Sequence, residues 1–290
     1  MRRISYQGCS VTRQPKTTFR RRQLARTLRR LRADAGLSQA GAADKLHINH
    51  RTMSRIELGH QVPGYHDLRA MLDLYGLTVD VWDPYLTMAE RARERGWYQA
   101  YGLDDYGYVS MEDEANLIRQ VQLSFVPGLL QTKDYIRALF DNTSAHFTEP
   151  DIDLAVEIRR RRQKRLTATL DPIDVHAIID ETVLHREIPA RIMRDQLNYL
   201  ALATELENVT VQVLPSSIGN HDGLHGNFAL LRFPDEDEPD VGYVEHVAGS
   251  LTIEKAAGVA KCTTVFDDLA GKALSADESA RFIERLADAT

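Results

Sequence analysis

Apolar residues recur at helical spacing through the first part of the chain, and strand-like runs appear only beyond residue 173. Leu24, Leu28 and Leu31 fall at i, i+4 and i+7 and predict a helix over 20–35. Arg20, Arg21, Arg22, Arg26, Arg29, Arg30 and Arg32 fill much of its remaining surface. From Leu37 to Gly59 the pattern predicts two short helices and a tight turn. Ser38 caps the first, whose stripe is Ala42, Ala43 and Leu46, and His47-Ile48-Asn49 forms the turn. Asn49 caps the second, with Met53 and Ile56 inward and His50, Arg51, Ser54 and Arg55 outward; Gly59 ends it. A further helix over 65–76 turns Leu68, Met71, Leu72 and Tyr75 inward and stops at Gly76. The expectation is a compact all-α, five-helix unit over 19–78, preceded by a basic, flexible arm over 1–18.

Asp80, Asp83 and Pro84 break the pattern and mark a connector over 79–85. Helical spacing resumes over 86–101 and leads into an aromatic stretch, Trp97, Tyr98, Tyr101, Tyr106 and Tyr108, whose favoured role is packing. Residues 111–122 read as helix, as do a segment opening at Thr132 (Tyr135, Ile136, Leu139, Phe140) and the span 149–168. Strands are expected over 173–179, 209–214, 227–233 and 241–245, where β-branched and aromatic residues concentrate. Helices over 191–206, 255–271 and 275–288 complete the chain, the last opened by a Ser275/Glu278 capping box. Residues 86–290 are therefore expected to form a larger α+β domain: helices, then a mostly antiparallel sheet, then C-terminal helices.

Composition narrows this picture. A chain of 290 residues with 43% hydrophobic positions can bury the cores of two domains. No apolar run approaches the ~20 residues of a membrane span. Arg2 and Arg3 are not followed by an apolar segment, so no secretory signal is expected. Cys9 and Cys262 lie far apart, which suits reduced thiols in a cytoplasmic protein. Residues 1–60 hold 14 Lys+Arg against 3 Asp+Glu, and the remaining 230 hold 22 against 39. A basic head on an acidic body can steer one face toward a phosphate backbone and repel DNA elsewhere.

Two helices at a steep angle, the second with a polar and basic outer face, fit a helix-turn-helix with its second helix in a major groove. An ordinary helical hairpin with a solvated face is the alternative. The small residues Ala42 and Ala43, suited to a close crossing, and the flanking helices favour the former. The unit resembles an XRE/Cro-type helix-turn-helix domain, carried by Leu37-Ser38-Gln39, Met53-Ser54-Arg55-Ile56-Glu57 and Gly59. The resemblance implies a DNA face of Gln39, Asn49, His50, Arg51, Ser54 and Arg55. Gln39 would brace a phosphate or a reading side chain, and His50 and Arg51 would meet base edges. Arg51 or Arg55 could pair bidentately with guanine. Arg20, Arg21 and Arg22 are candidates for the DNA backbone, adding affinity without sequence choice.

Residues from about 80 onward are similar to the C-terminal domain of actinobacterial antitoxin-like XRE regulators. The motifs are Val126-Pro127-Gly128-Leu129-Leu130-Gln131-Thr132, Arg162-Gln163-Lys164-Arg165-Leu166, Asp180-Glu181 with Leu184-His185-Arg186, Gln196-Leu197, Val211-Gln212-Val213-Leu214-Pro215 and Gly223-Leu224-His225-Gly226-Asn227-Phe228. Ile188-Pro189-Ala190 departs from an expected Gly-Gly turn. The resemblance implies a repressor or developmental regulator that binds a small partner protein encoded nearby. Homodimerisation on a near-palindromic double-stranded operator follows from geometry, since one reading helix spans few base pairs.

The run Arg159–Arg165 is first a solvated, acid-paired helix face, with Glu157 four residues before Arg161, and second a dock for an acidic partner. Trp97, Tyr98, Arg162 and Arg165 are the partner or ligand candidates; a small-molecule pocket lined by Trp97 and the tyrosines is the rival reading. A catalytic site built on Asp180, Glu181 and the histidines is the weaker one. His221 and His225 are four apart, but Gly219 and Gly223 make the stretch a loop, so no metal site is assigned. No phosphate loop, dinucleotide fingerprint or nucleophile elbow occurs, and no cofactor is expected.

Overall fold

The computed structural model describes residues 17–103, 107–141, 143, 147–235 and 238–290. Most of the expected basic arm, with Cys9 and Tyr106, lies outside the described residues. The chain divides into two compact units, Arg13–Met111 and one built on Glu112–Thr290.

The first unit holds α1 (Phe19–Asp34), α2 (Gln39–Lys45), α3 (His50–Glu57), α4 (Tyr65–Leu74) and α5 (Asp83–Arg93). Its core gathers Leu24, Leu28, Ala42, Ala43, Met53, Ile56, Leu68, Met71, Leu72, Ala89 and Ala92. The fifth helix therefore comes later than residue 78. The segment expected to be a connector is a 3-10 turn over Val79–Val81 and the first turn of α5. Pro84 did not exclude a helix, because proline is tolerated in a first turn, where its missing N–H is not needed. The backbone turns extended at Glu94, so α5 stops before the expected residue 101; Trp97–Tyr101 form a separate 3-10 turn.

The boundaries of α1 to α4 follow from their caps. Thr18, Ser38 and Asn49 each accept a hydrogen bond from the first turn of α1, α2 and α3. All four helices end with paired 6→1 and 5→2 bonds around a left-handed residue. At α3, His60 N–H donates to the Arg55 carbonyl (2.8 Å) and Gly59 N–H to that of Ile56 (2.9 Å). The left-handed residues are Gly36, Gly59 and Gly76, with His47 taking the role after α2. Gly59 is doubly required: φ is +73°, and a Cβ there would lie 3.0 Å from the Arg21 carbonyl oxygen.

In the chain, α6 (Tyr108–Glu114) is followed by β1 (Leu117–Gln122), α7 (Lys133–Ala138), α8 (Glu149–Gln163), β2 (Asp174–Asp180), α9 (Glu181–Leu184), α10 (Ala190–Ala203) and β3 (Val209–Leu214). Then come β4 (Phe228–Arg232), β5 (Val241–His246), β6 (Gly249–Ile253), α11 (Ala256–Lys272) and α12 (Ala276–Ala289). The fold is thus a helical helix-turn-helix region followed by a mixed α/β domain. Its six-stranded sheet runs β3-β2-β1-β4-β5-β6. Two of these strands, β1 and β6, were not expected, and β1 corrects the helix read over 111–122. With β1 in place the sheet is mixed. β1 pairs parallel with β2, and β2 with β3, through connections long enough to carry helices; β1-β4-β5-β6 are antiparallel.

One sheet face carries Val121, Ile178, Leu214 and Leu230 against Phe266 and Leu269 of α11. On the other, Ile118, Val175, Ala177, Ile179, Val211, Val213 and Leu231 are also buried, as in a sheet covered on both sides. Gln212 ties the β3 edge to the end of α11, its Nε2 donating to the carbonyls of Ala270 (3.1 Å) and Leu274 (2.9 Å). The expected Ser275/Glu278 capping box opens α12.

Candidate nucleic-acid interface

Met53 and Ile56 anchor α3 in the helical core while His50, Arg51 and Arg55 are exposed; Ser54 is half-buried at the margin. Asn49, expected at the DNA face, is the N-cap: its Oδ1 accepts from the Arg51 N–H at 2.8 Å. That bond fixes the start of the helix and leaves the amide nitrogen as its donor outward.

The far end of α3 is held by a buried polar knot. The Glu57 carboxylate, 2% exposed, accepts from Arg32 Nε at 2.6 Å, and the Arg32 side chain is 13% exposed. Arg32 Nη2 reaches the second carboxylate oxygen at 3.1 Å. Gln39 Nε2 donates to the same oxygen at 2.8 Å. Arg32 also donates to the Leu37 carbonyl, at 2.5 Å. One carboxylate thus links α1, α2 and α3. The hydrogen bond to Glu57 pushes the Arg32 pKa up against the opposing effect of burial. The neighbouring Tyr75 is pushed up to about 12 by burial first and by Glu57 second.

Gln39, read as a brace for a phosphate or a reading side chain, is exposed, with its amide nitrogen engaged by Glu57. At the opposite end of α3, His50 Nε2 lies 2.6 Å from Asp44 Oδ1 of α2, with side chains 61% and 69% exposed. Asp44 was not singled out in the sequence, and Arg32 and Glu57 entered it only as one arginine of a row and as part of the motif that carries the resemblance. Arg32 is one of seven arginines on one helix, and its pairing with the buried Glu57 carboxylate is not visible in the sequence.

The arginines at the start of α1 are placed differently from expectation. Arg20 Nη1 donates to Glu94 Oε2 (3.1 Å) and to the Arg91 carbonyl (3.4 Å). Arg21 Nε donates to the Ala92 carbonyl at 3.2 Å. Arg22 Nη1 donates to the Thr17 carbonyl at 3.0 Å. Arg20 and Arg21 therefore hold the C-terminal end of α5, where a helix leaves carbonyls unpaired and favours cations.

The partner candidates are likewise built into the molecule. Tyr98 is buried, and Trp97 meets Tyr98 and Tyr101 edge-on at centroid distances of 6.0 and 5.7 Å. Arg162 forms a two-pronged pair with Glu112 (2.5 and 2.8 Å). Arg165 Nη1 gathers the carbonyls of Glu112, Asp113 and Ala115 at 3.0, 3.0 and 2.8 Å. Both residues secure the segment before β1. Nearby, Gln196 clamps the Val126–Thr132 loop: Nε2 donates to the Leu130 carbonyl, and Oε1 accepts from the Thr132 N–H, each at 2.7 Å. Gln163 Nε2 donates to the Gln131 carbonyl at 2.6 Å.

Asp180 caps α9, accepting from the Thr182 N–H at 2.9 Å, and Glu181 accepts from the Ser216 N–H at 2.7 Å. His185 lies 3.7 Å from Glu181. His221 is buried behind Gly223, whose added Cβ would lie 2.9 Å from the ring Nδ1. Among the described residues no group of three or more His, Cys, Asp or Glu side chains is arranged to hold a metal. No helix among them is long and apolar enough to cross a membrane.

Comparison with known proteins gives two family matches. A helix-turn-helix domain model covers residues 23–83, and a model described as a domain of unknown function, DUF5753, covers 107–285. No curated protein and no solved structure matches the chain. The helix-turn-helix match points to DNA binding and transcriptional regulation, and neither model describes an enzyme.

Proposed function

The chain belongs to the DUF5753 family and carries a helix-turn-helix domain ahead of that region, and on this premise we propose that it is a sequence-specific DNA-binding transcription regulator whose reading helix is α3. The observation that carries the reading is the division of α3 itself. Met53, Ile56 and Glu57 lock one side into the head, while His50, Arg51 and Arg55 stand exposed on the other. Arg51 and Arg55 are the candidates for bidentate contact with guanine O6 and N7. Asn49, Ser54 and the remaining amide atoms of Gln39 border them and suit phosphate or base-edge contacts.

The protein acts as a homodimer in this reading, because two reading helices need half-sites about 34–36 Å apart. The DUF5753 region serves as the regulatory part, receiving a small partner protein in the manner of the antitoxin-like regulators it resembles. Binding there changes the populations of head arrangements that fit an operator.

Selection of duplexes from a random pool by the full-length chain tests the DNA reading. One recurrent motif with a two-fold repeat is expected. Arg51→Ala should weaken binding to that motif by about 1–3 kcal/mol and relax base choice at one position per half-site. Equal losses on selected and random duplexes would refute α3 as the reading helix. Mass spectrometry of the native complex tests the regulatory part; a small polypeptide at defined stoichiometry supports it, and a bound small molecule overturns it.

A further inference from the structure

Asp44 is an acidic residue on a face proposed to meet phosphates, and its carboxylate is 2.6 Å from His50 Nε2, at the first position of α3. A carboxylate facing DNA is unfavourable unless something offsets its charge. An exposed ion pair contributes only about 0–1 kcal/mol to folding, so stability does not account for it. Its geometry has a chemical consequence. An ionised carboxylate only accepts, so Nε2 must carry a hydrogen in either protonation state of the ring. The atom left to face the groove is Nδ1. In the neutral ring Nδ1 accepts; in the imidazolium it donates. Only the donor form pairs with guanine O6 or N7 or with a phosphate.

Resting on the DNA-binding reading above, we propose that Asp44 is a positioning residue for operator recognition. It fixes the His50 ring with Nδ1 toward the groove, and the ring that reads is the one in which Nδ1 carries a hydrogen. The bordering charged and titratable side chains are Lys45 of α2, His47 of the turn and Arg51 of α3, all exposed. From α1, Arg32 meets α3 at Glu57, about 10 Å further along the helix axis and already paired. Operator binding therefore takes up a proton, and non-specific binding does so less.

The test uses the full-length chain, its selected duplex and a scrambled duplex. Fluorescence anisotropy gives both affinities between about pH 6 and about pH 8 at fixed ionic strength, the range in which histidine titrates. For the wild type, preference for the selected duplex should grow several-fold, up to about tenfold, as the pH falls. Asp44→Asn keeps an acceptor and removes the charge. It should tighten binding to the scrambled duplex and flatten the pH dependence of the preference. His50→Gln should flatten it as well. Preference, not affinity, is the readout, because removing any carboxylate from this face strengthens binding to every duplex. A wild-type preference independent of pH, or an Asp44→Asn profile matching the wild type, overturns the proposal and leaves the DNA reading intact. Failure of the wild type to bind any duplex overturns both.

Discussion

Glu57→Ala is the sharpest probe of how the head is held. The side chain it removes is buried and accepts three hydrogen bonds, two from Arg32 and one from Gln39. Its loss leaves a largely buried guanidinium without its counter-charge and an amide without its acceptor. Removing one partner of a buried pair costs about 3–5 kcal/mol. Arg32 keeps its bond to the Leu37 carbonyl, which places the expected cost near the lower end, about 3 kcal/mol. Total stabilities of about 5–15 kcal/mol make that a large share for a small helical unit. The exposed Asp44–His50 pair supplies the contrast, since Asp44→Ala should change stability by no more than about 1 kcal/mol.

The sequence contains its own reporter. Both tryptophans, Trp82 and Trp97, lie in the unit Arg13–Met111, so tryptophan fluorescence follows that unit. With a urea slope of about 1–2 kcal/mol per molar for a small unit, Glu57→Ala should lower the fluorescence midpoint by about 1.5–3 M. Glu57→Gln can still accept from Arg32 and Gln39 and should lose less. A midpoint shift under about 0.5 M for Glu57→Ala, or one equal to that of Asp44→Ala, would refute the argument that this knot fixes α3 on α1.

Other outcomes follow from the same geometry. Tyr75 is held protonated up to about 12, above its usual value near 10, so it supports the fold fully below pH 10 and progressively less as the pH rises toward 12. Its hydroxyl is buried without a hydrogen-bond partner among the described residues, so Tyr75→Phe should leave stability at pH 7 unchanged or raise it by about 1 kcal/mol. The variant should also blunt the alkaline loss in a fluorescence titration. Gln196→Ala unpairs the buried Leu130 carbonyl and Thr132 N–H; a loss of about 2–4 kcal/mol is expected by far-ultraviolet circular dichroism in urea. Arg20→Ala and Arg21→Ala should lower the fluorescence midpoint while changing the salt slope of DNA binding by less than about one unit, whereas losing a true phosphate contact should lower it by about one.

Residues 19–74 were readable because each helix carries its own start and stop signals. Ser38, Asn49, Gly36, Gly59 and Gly76 act locally, and local chemistry is what a sequence displays most directly. Strand β1 was hidden for a specific reason. Met111, Ala115 and Ile118 are spaced as one helical face and are all buried, yet they straddle the end of α6, the link and the start of β1. A short apolar run carries no mark distinguishing helix from central strand. Missing β1 concealed its parallel pairing with β2, whereas the strand-helix-strand order that joins β2 to β3 was already present in the expected elements. Strand β6, five residues beyond a two-residue hairpin loop, was too short to register as a pattern.

The arginines were the least legible part, and the reason is physical. Charge density is visible in a sequence, but the partner of each charge depends on which helix end comes within reach of a long side chain. Arg20, Arg21, Arg162 and Arg165 all close on carbonyls or carboxylates of their own unit, and each helps secure a helix end or the segment leading into a strand. This does not remove the basic head from the functional argument. Arg21 bonds a neutral carbonyl oxygen and keeps its full charge, so it still contributes to the field that draws the head toward phosphates. Arg20 and Arg32, paired with carboxylates, contribute much less at a distance. Steering and contact therefore belong to different arginines. Charges such as that of Arg21 set how fast the head approaches a duplex, while Arg51 and Arg55, exposed on α3, set which duplex it keeps.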